Sequence, residues 1–388
     1  MHTSNLRASA LLLALMTGCG DDGGASTTSA STGDAGTTTD TPTTDEPTTA
    51  TTGTDEPTTT TTTATTGEPD PTTTGGDTSG SDTSTGDPAA EPEIVHEFDV
   101  AMFQLPEGLD VYEGTAYVGL VTGQVFTVDP EDGTTAMFGG LVGLPQDNTA
   151  IMTGLIVGPD GAVYVALDVF APGDFVSGIY KIPAGGGLGV PFASDPAMAF
   201  PNGFAFDAKG DLLVTDSFTA TIFHVAIADG TVTPWVQDPL LAPNPDTCKL
   251  DSAFHLGANG ITRAGDRVFV TNSDQASILE IPVDAMGKAG APKLLLGPDC
   301  EALSGADGLI VEPNTDNLLV PVNYKQRIIR VDATQQITVL AEGGLLQSPA
   351  TLVMAPAGDA VLIANAAFET ATTDPANAHP ALLSLGLQ

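Results

Sequence analysis

From residue 105 onward the chain alternates apolar and polar positions at period two, in short runs broken by Gly, Asp, Asn or Pro. Side chains change face at every residue of a strand, so this period predicts strands with one buried face. DLLVTDSFTATIFHV at 211–225 holds two such runs around a turn. No stretch keeps the apolar spacing of a long amphipathic helix.

The pattern recurs as a phrase. It reads LPEGLDVYEGTAYVGLVTGQVFTVD at 105–129, MTGLIVGPDGAVYVALD at 152–168, FPNGFAFDAKGDLLVTDS at 200–217 and GANGITRAGDRVFVTNS at 257–273. It returns as ADGLIVEPNTDNLLVPVNYKQRIIRVD at 306–332 and SPATLVMAPAGDAVLIANAAF at 348–368. Later copies close with a further apolar run, such as GIYKIP, TIFHVAI, SILEIPV or ALLSLGL. Each unit supplies three or four strands over roughly 43–57 residues, the size of a propeller blade. Six copies predict an all-β chain folded as one six-bladed β-propeller over 94–388.

Stacked on their Gly, the copies place Glu107, Thr153, Asn202, Asn259 and Asp307 at one position, with Ala350 before Thr351 in the sixth. The first strand of each blade lines the channel, so these side chains form a ring around the axis. Four of them carry carboxylate or amide oxygens, the ligands of a hard cation. The ring has no Cys or His, which disfavours zinc and copper. Ca2+ is the first expectation, with Mg2+ or Mn2+ behind it. Asn-Gly and Asp-Gly are also common turn dipeptides, and a merely polar, water-filled channel is the alternative.

The phrase and its order resemble the senescence-marker-protein/gluconolactonase/LRE-like family of metal-dependent, lactone-opening propellers, over about 95–388. NHL and strictosidine-synthase-like propellers share a similar strand opening. The resemblance implies that Glu107, Asn259 and Asp307 hold the metal, that Asn202 contacts metal or substrate, and that Asp307 is the general base. A lactone or related ester would be hydrolysed in the channel, its carbonyl polarised by the cation. Many family members carry an Arg near the channel to grip sugar hydroxyls. Here Phe200 and Pro201 precede Asn202, which implies a less polar substrate. The alternative function is a non-catalytic propeller that binds a protein or glycan.

Other candidates lie outside the ring. His255, four residues before Asn259, either overhangs the pocket mouth and touches substrate or is a surface loop residue; Asp251 lies in the same long linker. Cys248 and Cys300 precede the innermost strands of neighbouring blades and are either bonded or free thiols. Asp216, Asn272, Asn323 and Asn365 suit turn capping, with no chemistry assigned. His224 reads as an ordinary strand residue and Trp235 as blade packing. AGGGLG at 184–189 reads as a blade-to-blade loop. No GxSxG, HExxH or P-loop motif is present.

The rest of the chain changes where this domain is expected to work. Residues 1–19, MHTSNLRASALLLALMTGC, place an apolar run between an Arg and small residues and read as a secretory signal. Their end resembles a bacterial lipoprotein signal with Met16 where Leu is usual, which makes Cys19 the lipidated residue; a plain signal peptide is the alternative. Lipid would anchor the protein to the cell envelope without spanning the membrane. Residues 20–93 are mostly Thr, Ser, Gly, Ala, Asp, Glu and Pro, a composition expected to form a disordered stalk. The formal charge of -38 argues against nucleic-acid binding. An exported, lipid-anchored monomer is expected.

Overall fold

The computed structural model describes residues 91–387 apart from 148, 251 and 253. The signal segment, Cys19, most of the predicted stalk and Asp251 lie outside the described residues.

Six antiparallel sheets form the six blades of a propeller. Their innermost strands are Pro106–Tyr112, Ala150–Val157, Pro201–Phe206, Ala258–Ala264, Ile310–Val311 and Pro349–Met354. In blades one to five the next three strands follow outward. Blade six is different: its outermost strand is Glu93–Glu97, paired antiparallel with Ala381–Gly386. The first and last strands of the domain thereby close the ring, a closure the repeat itself did not announce. Closing a ring leaves no long free inner edge.

Each blade is apolar on both faces and cannot bury them alone, so the core is a set of layers between blades. Leu109 and Val118 of blade one pack with Leu362 and Leu382 of blade six. Val125 of blade one packs with Met152 and Val165 of blade two. Tyr164 and Ile179 of blade two pack with Val214 and Phe223 of blade three. Trp235 packs against the layer between blades three and four and donates from Nε1 to the Gly287 carbonyl at 2.9 Å.

The Gly-rich segment lies within blade two rather than between blades: Gly187–Leu188 adds a short parallel strand to the outer edge of blade one. Among the described residues the α-helices are short, the longer being Phe368–Thr373, and none is long and apolar enough to cross a membrane.

Candidate metal centre and cavity

The repeat position falls where five of the six inner ladders slip. Register shifts separate Pro106 from Gly108, Met152 from Leu155, Pro201 from Phe204, Ala258 from Ile261 and Pro349 from Thr351. Blade five has only the bridge Ala306–Val322 there. A bulge leaves its extra residue unpaired and re-aims the side chain. Glu107, Thr153, Asn202, Asn259 and Asp307 are thus buried and turned into one cavity of about 430 Å³ on the channel axis. The structure brings together all four predicted metal ligands.

The Gly after the ring residue has a packing reason. A β-carbon at Gly108 would lie 2.7 Å from the Thr153 carbonyl oxygen, and one at Gly203 would lie 2.6 Å from that of Asn259. Adjacent inner strands approach too closely for any larger residue. Hydroxyls then stitch the blades. Thr271 Oγ1 donates to the Asp307 carbonyl and accepts from the Gly260 amide, while Thr215 repeats the arrangement with Asn259 and Gly203.

A second tier of side chains surrounds the ring. Asp216 pairs with Pro201, and the residue after it, Ser217, turns its side chain to Asn202. The same position is Asp168 in blade two, Ser273 in blade four and Asn323 in blade five. Asn202 Nδ2 donates to Ser217 Oγ at 3.3 Å, and Asn259 Nδ2 to Ser273 Oγ at 3.0 Å. Each Ser hydroxyl donates onward to the next blade, to the carbonyls of Ala258 and Ala306. With their amide nitrogens held this way, both Asn residues keep Oδ1 as an acceptor.

Asn323 Nδ2 donates to Asp307 Oδ2 at 3.1 Å and lines the cavity. This corrects its assignment to turn capping. Asp216, Asn272 and Asn365 do cap turns, bonding backbone groups of nearby loops. Asp168, also unassigned from sequence, is fully buried against Thr153, with Oδ2 3.1 Å from Thr153 Oγ1 and Oδ1 without a hydrogen-bond partner.

The cavity floor therefore concentrates acid. Burial, and then the charge of Asp307, push Glu107 well above the usual carboxylate range. Burial pushes Asp307 up to about 7, against hydrogen bonds from Asn323 and Asn259 that favour its charged form. Burial also raises Asp168, with Thr153 opposing and the charges of Asp216 and Glu107 adding. Buried Glu107 Oε2 has no hydrogen-bond partner. No Lys, Arg or His is among the described residues lining the cavity. Two buried acids, an orphaned carboxylate oxygen and two amide oxygens fit a hard divalent cation.

The cavity walls are apolar. Phe200 is buried there, with ring centroids 4.6 Å from Phe218, 5.9 Å from Phe254 and 6.0 Å from Phe170. His255 is not among the lining side chains. It turns to Asp274, with Nδ1 3.3 Å from Oδ2, while its neighbours Phe254 and Leu256 face the cavity. The buried Asp274 carboxylate holds the imidazole outside the cavity lining, whereas the sequence reading has it overhang the mouth. Cys248 and Cys300 are disulfide-bonded, with Cα atoms 5.4 Å apart.

Asp207, Asp211 and His224 form a second cluster of metal-type ligands outside the channel, with ligand atoms within 4.8 Å of one another. His224 Nε2 lies 3.5 Å and 3.4 Å from the two carboxylates, so its strand position carries more than the sequence implied.

No family model and no curated protein sequence matches the chain. Solved structures do. Regucalcin from Agrobacterium tumefaciens, a calcium-binding protein, superposes with a TM-score of 0.55 at 15% identity, over 77% of this chain and 94% of that one. A luciferin-regenerating enzyme gives 0.54 at 14%, over 76% and 96%. Virginiamycin B lyase from Staphylococcus aureus gives 0.50 at 13%, over 77% and 99%. What is shared is the fold. At such identity the likeness extends to the six-bladed ring and not to any activity.

Proposed function

We propose that this propeller binds a divalent cation, calcium first, at Glu107, Asn202, Asn259 and Asp307, and hydrolyses a lactone or related ester in the cavity above it. The observation that carries the proposal is the floor of buried, mutually repelling acids, one with an orphaned oxygen, at the bottom of a cavity whose rim carries exposed Phe170, Tyr324 and Glu369. Acids arranged only to stiffen a channel would not need an opening large enough for a small molecule.

A cation held there would supply Lewis-acid polarisation of the substrate carbonyl. The chain's own groups do the rest. Asn202 and Asn259 present oxygens whose orientation is fixed from behind by Ser217 and Ser273. Asp307 accepts the proton of the attacking water and returns it to the alkoxide released when the ester C–O bond breaks. Asn323 holds Oδ2 of that carboxylate and fixes its orientation. The apolar walls exclude bulk water from the floor. The neighbour described as a calcium-binding protein supports the choice of ion. Export and attachment through Cys19 belong to the same proposal, on the sequence alone.

The test is calcium calorimetry on wild type and Asp307→Ala, followed by a screen of lactones and esters. Saturable binding and calcium-dependent hydrolysis, both lost in the variant, are expected. Hydrolysis retained in Asp307→Ala removes Asp307 from the mechanism. Calcium binding without hydrolysis of any substrate makes the protein a binding propeller.

A further inference from the structure

The cavity has two unlike halves. Its floor is the oxygen ring. Its walls are largely hydrocarbon, among them Phe103, Phe170, Phe200, Phe254, Leu256 and Phe368. These come from separate parts of the chain. Phe170 follows the second strand of blade two, Phe200 enters blade three, and Phe254 sits on the long loop before blade four. Phe170 and Phe254 lie 5.3 Å apart, centroid to centroid, and both rings lie tilted against Phe200. The loop that delivers Phe254 is tied down twice. The Cys248–Cys300 disulfide fixes its base, and Ser252 Oγ lies 3.0 Å from the hydroxyl of Tyr324 in blade five. Phe170 remains 40% exposed at the rim, so this wall continues to the cavity mouth. An aromatic wall that runs from buried Phe200 to exposed Phe170 marks a surface that meets a ligand.

The charges point the same way. Glu369 adds a third carboxylate to those of Glu107 and Asp307, and no basic described side chain lines the cavity. A carboxylate or phosphate on the arm of the substrate would find no basic partner among the described lining residues and would face Glu369 at the rim.

We infer that the cavity selects an uncharged lactone or ester carrying an apolar arm, with the carbonyl end on the ring and the arm against the Phe170–Phe200–Phe254 wall, and that it rejects acidic sugar-derived lactones. The inference rests on the ring being the site for the carbonyl end. It adds what occupies the rest of the cavity.

The experiment uses non-hydrolysable cyclic amides, so it reads binding without turnover. Calcium-loaded protein is titrated calorimetrically with γ-lactams bearing linear alkyl chains of about two to eight carbons, and with pyroglutamate as the acidic member. Affinity is expected to rise about fourfold per methylene until the wall is covered, as for a buried CH2. Pyroglutamate is expected not to bind. Phe254→Ala and rim-exposed Phe170→Ala, each checked for a native circular dichroism spectrum, are expected to flatten the series. A series flat in the wild type, pyroglutamate binding as tightly as the alkyl lactams, or no lactam binding at all overturns the inference. A steep series in a protein that hydrolyses no lactone sustains it and overturns the hydrolase proposal instead. A flat series in a protein that does hydrolyse lactones has the reverse meaning.

Discussion

Replacing Asp307 by Asn should stabilise the cation-free protein and abolish its response to calcium. The side chain keeps its shape and can still accept from Asn323. What it loses is a charge that burial disfavours. In the fold the Asp307 carboxyl sits at about 7, against an ordinary value of 3.8. That displacement is worth about 4 kcal/mol once the carboxyl is fully ionised. The displacement already includes the bond from Asn323, which favours the charged form. The gain of about 4 kcal/mol corresponds to about 8 °C in melting temperature for a domain of this size. The sign follows from proton counting. The folded pKa lies above the unfolded one, so between about pH 4 and pH 7 the folded protein holds more protons, and wild-type stability falls as pH rises. The gain in the variant is therefore largest near pH 8 and shrinks below about 1 kcal/mol near pH 4.

The assay is thermal denaturation in chelator at both pH values, then in calcium. Calcium at a hundredfold over its Kd should stabilise wild type by about 2.7 kcal/mol and leave the variant unmoved. A variant that melts at or below wild type near pH 8 in chelator would refute the claim that burial disfavours the Asp307 charge. Calcium raising both proteins equally would place the cation elsewhere, with the Asp207–Asp211–His224 cluster the next place to look.

Three further outcomes are expected. Thr271→Val removes the hydroxyl shared by the Gly260 amide and the Asp307 carbonyl, which still bond each other at 3.2 Å, and urea denaturation should show a loss of about 0.5–1.5 kcal/mol; no loss would mean the inter-blade stitch is not stabilising. Paired Cys248→Ser and Cys300→Ser substitutions open a link across 52 residues, and the loss should reach about 2–4 kcal/mol, with reductant producing the same change in wild type only. Cys19→Ser should move the full-length protein from the membrane fraction to the soluble fraction, and an unchanged distribution would argue against lipid attachment.

Much of the fold was legible in the chain because a blade writes itself twice over, in period-two alternation and in a phrase recurring six times. That phrase also located Glu107, Asn202, Asn259 and Asp307, since equivalent positions on equivalent strands must face one axis. Asn323 shows where letters fail. Read along the sequence it belongs with Asp216 and Asn272. Paired through Ala306–Val322, it falls one place later, with Ser217 and Ser273, and so touches the ring. Asp168 was missed for the same reason, because a second-strand residue gains its role only from the bulged partner beside it.

Other features depend on contacts that no local pattern encodes. The Glu93–Glu97 closure, the Cys248–Cys300 bond and the meeting of Phe170, Phe200 and Phe254 each join segments far apart in the chain. His255 was close enough in sequence to reach the cavity and was drawn away by buried Asp274. The sequence by itself determined the blades, their number and the inward-facing oxygens, because hydrogen-bonded strands impose a period that side chains must obey. Only the tertiary structure decided which acids lie buried together, what holds them and which apolar walls stand above them, because desolvation and charge repulsion depend on distance through space.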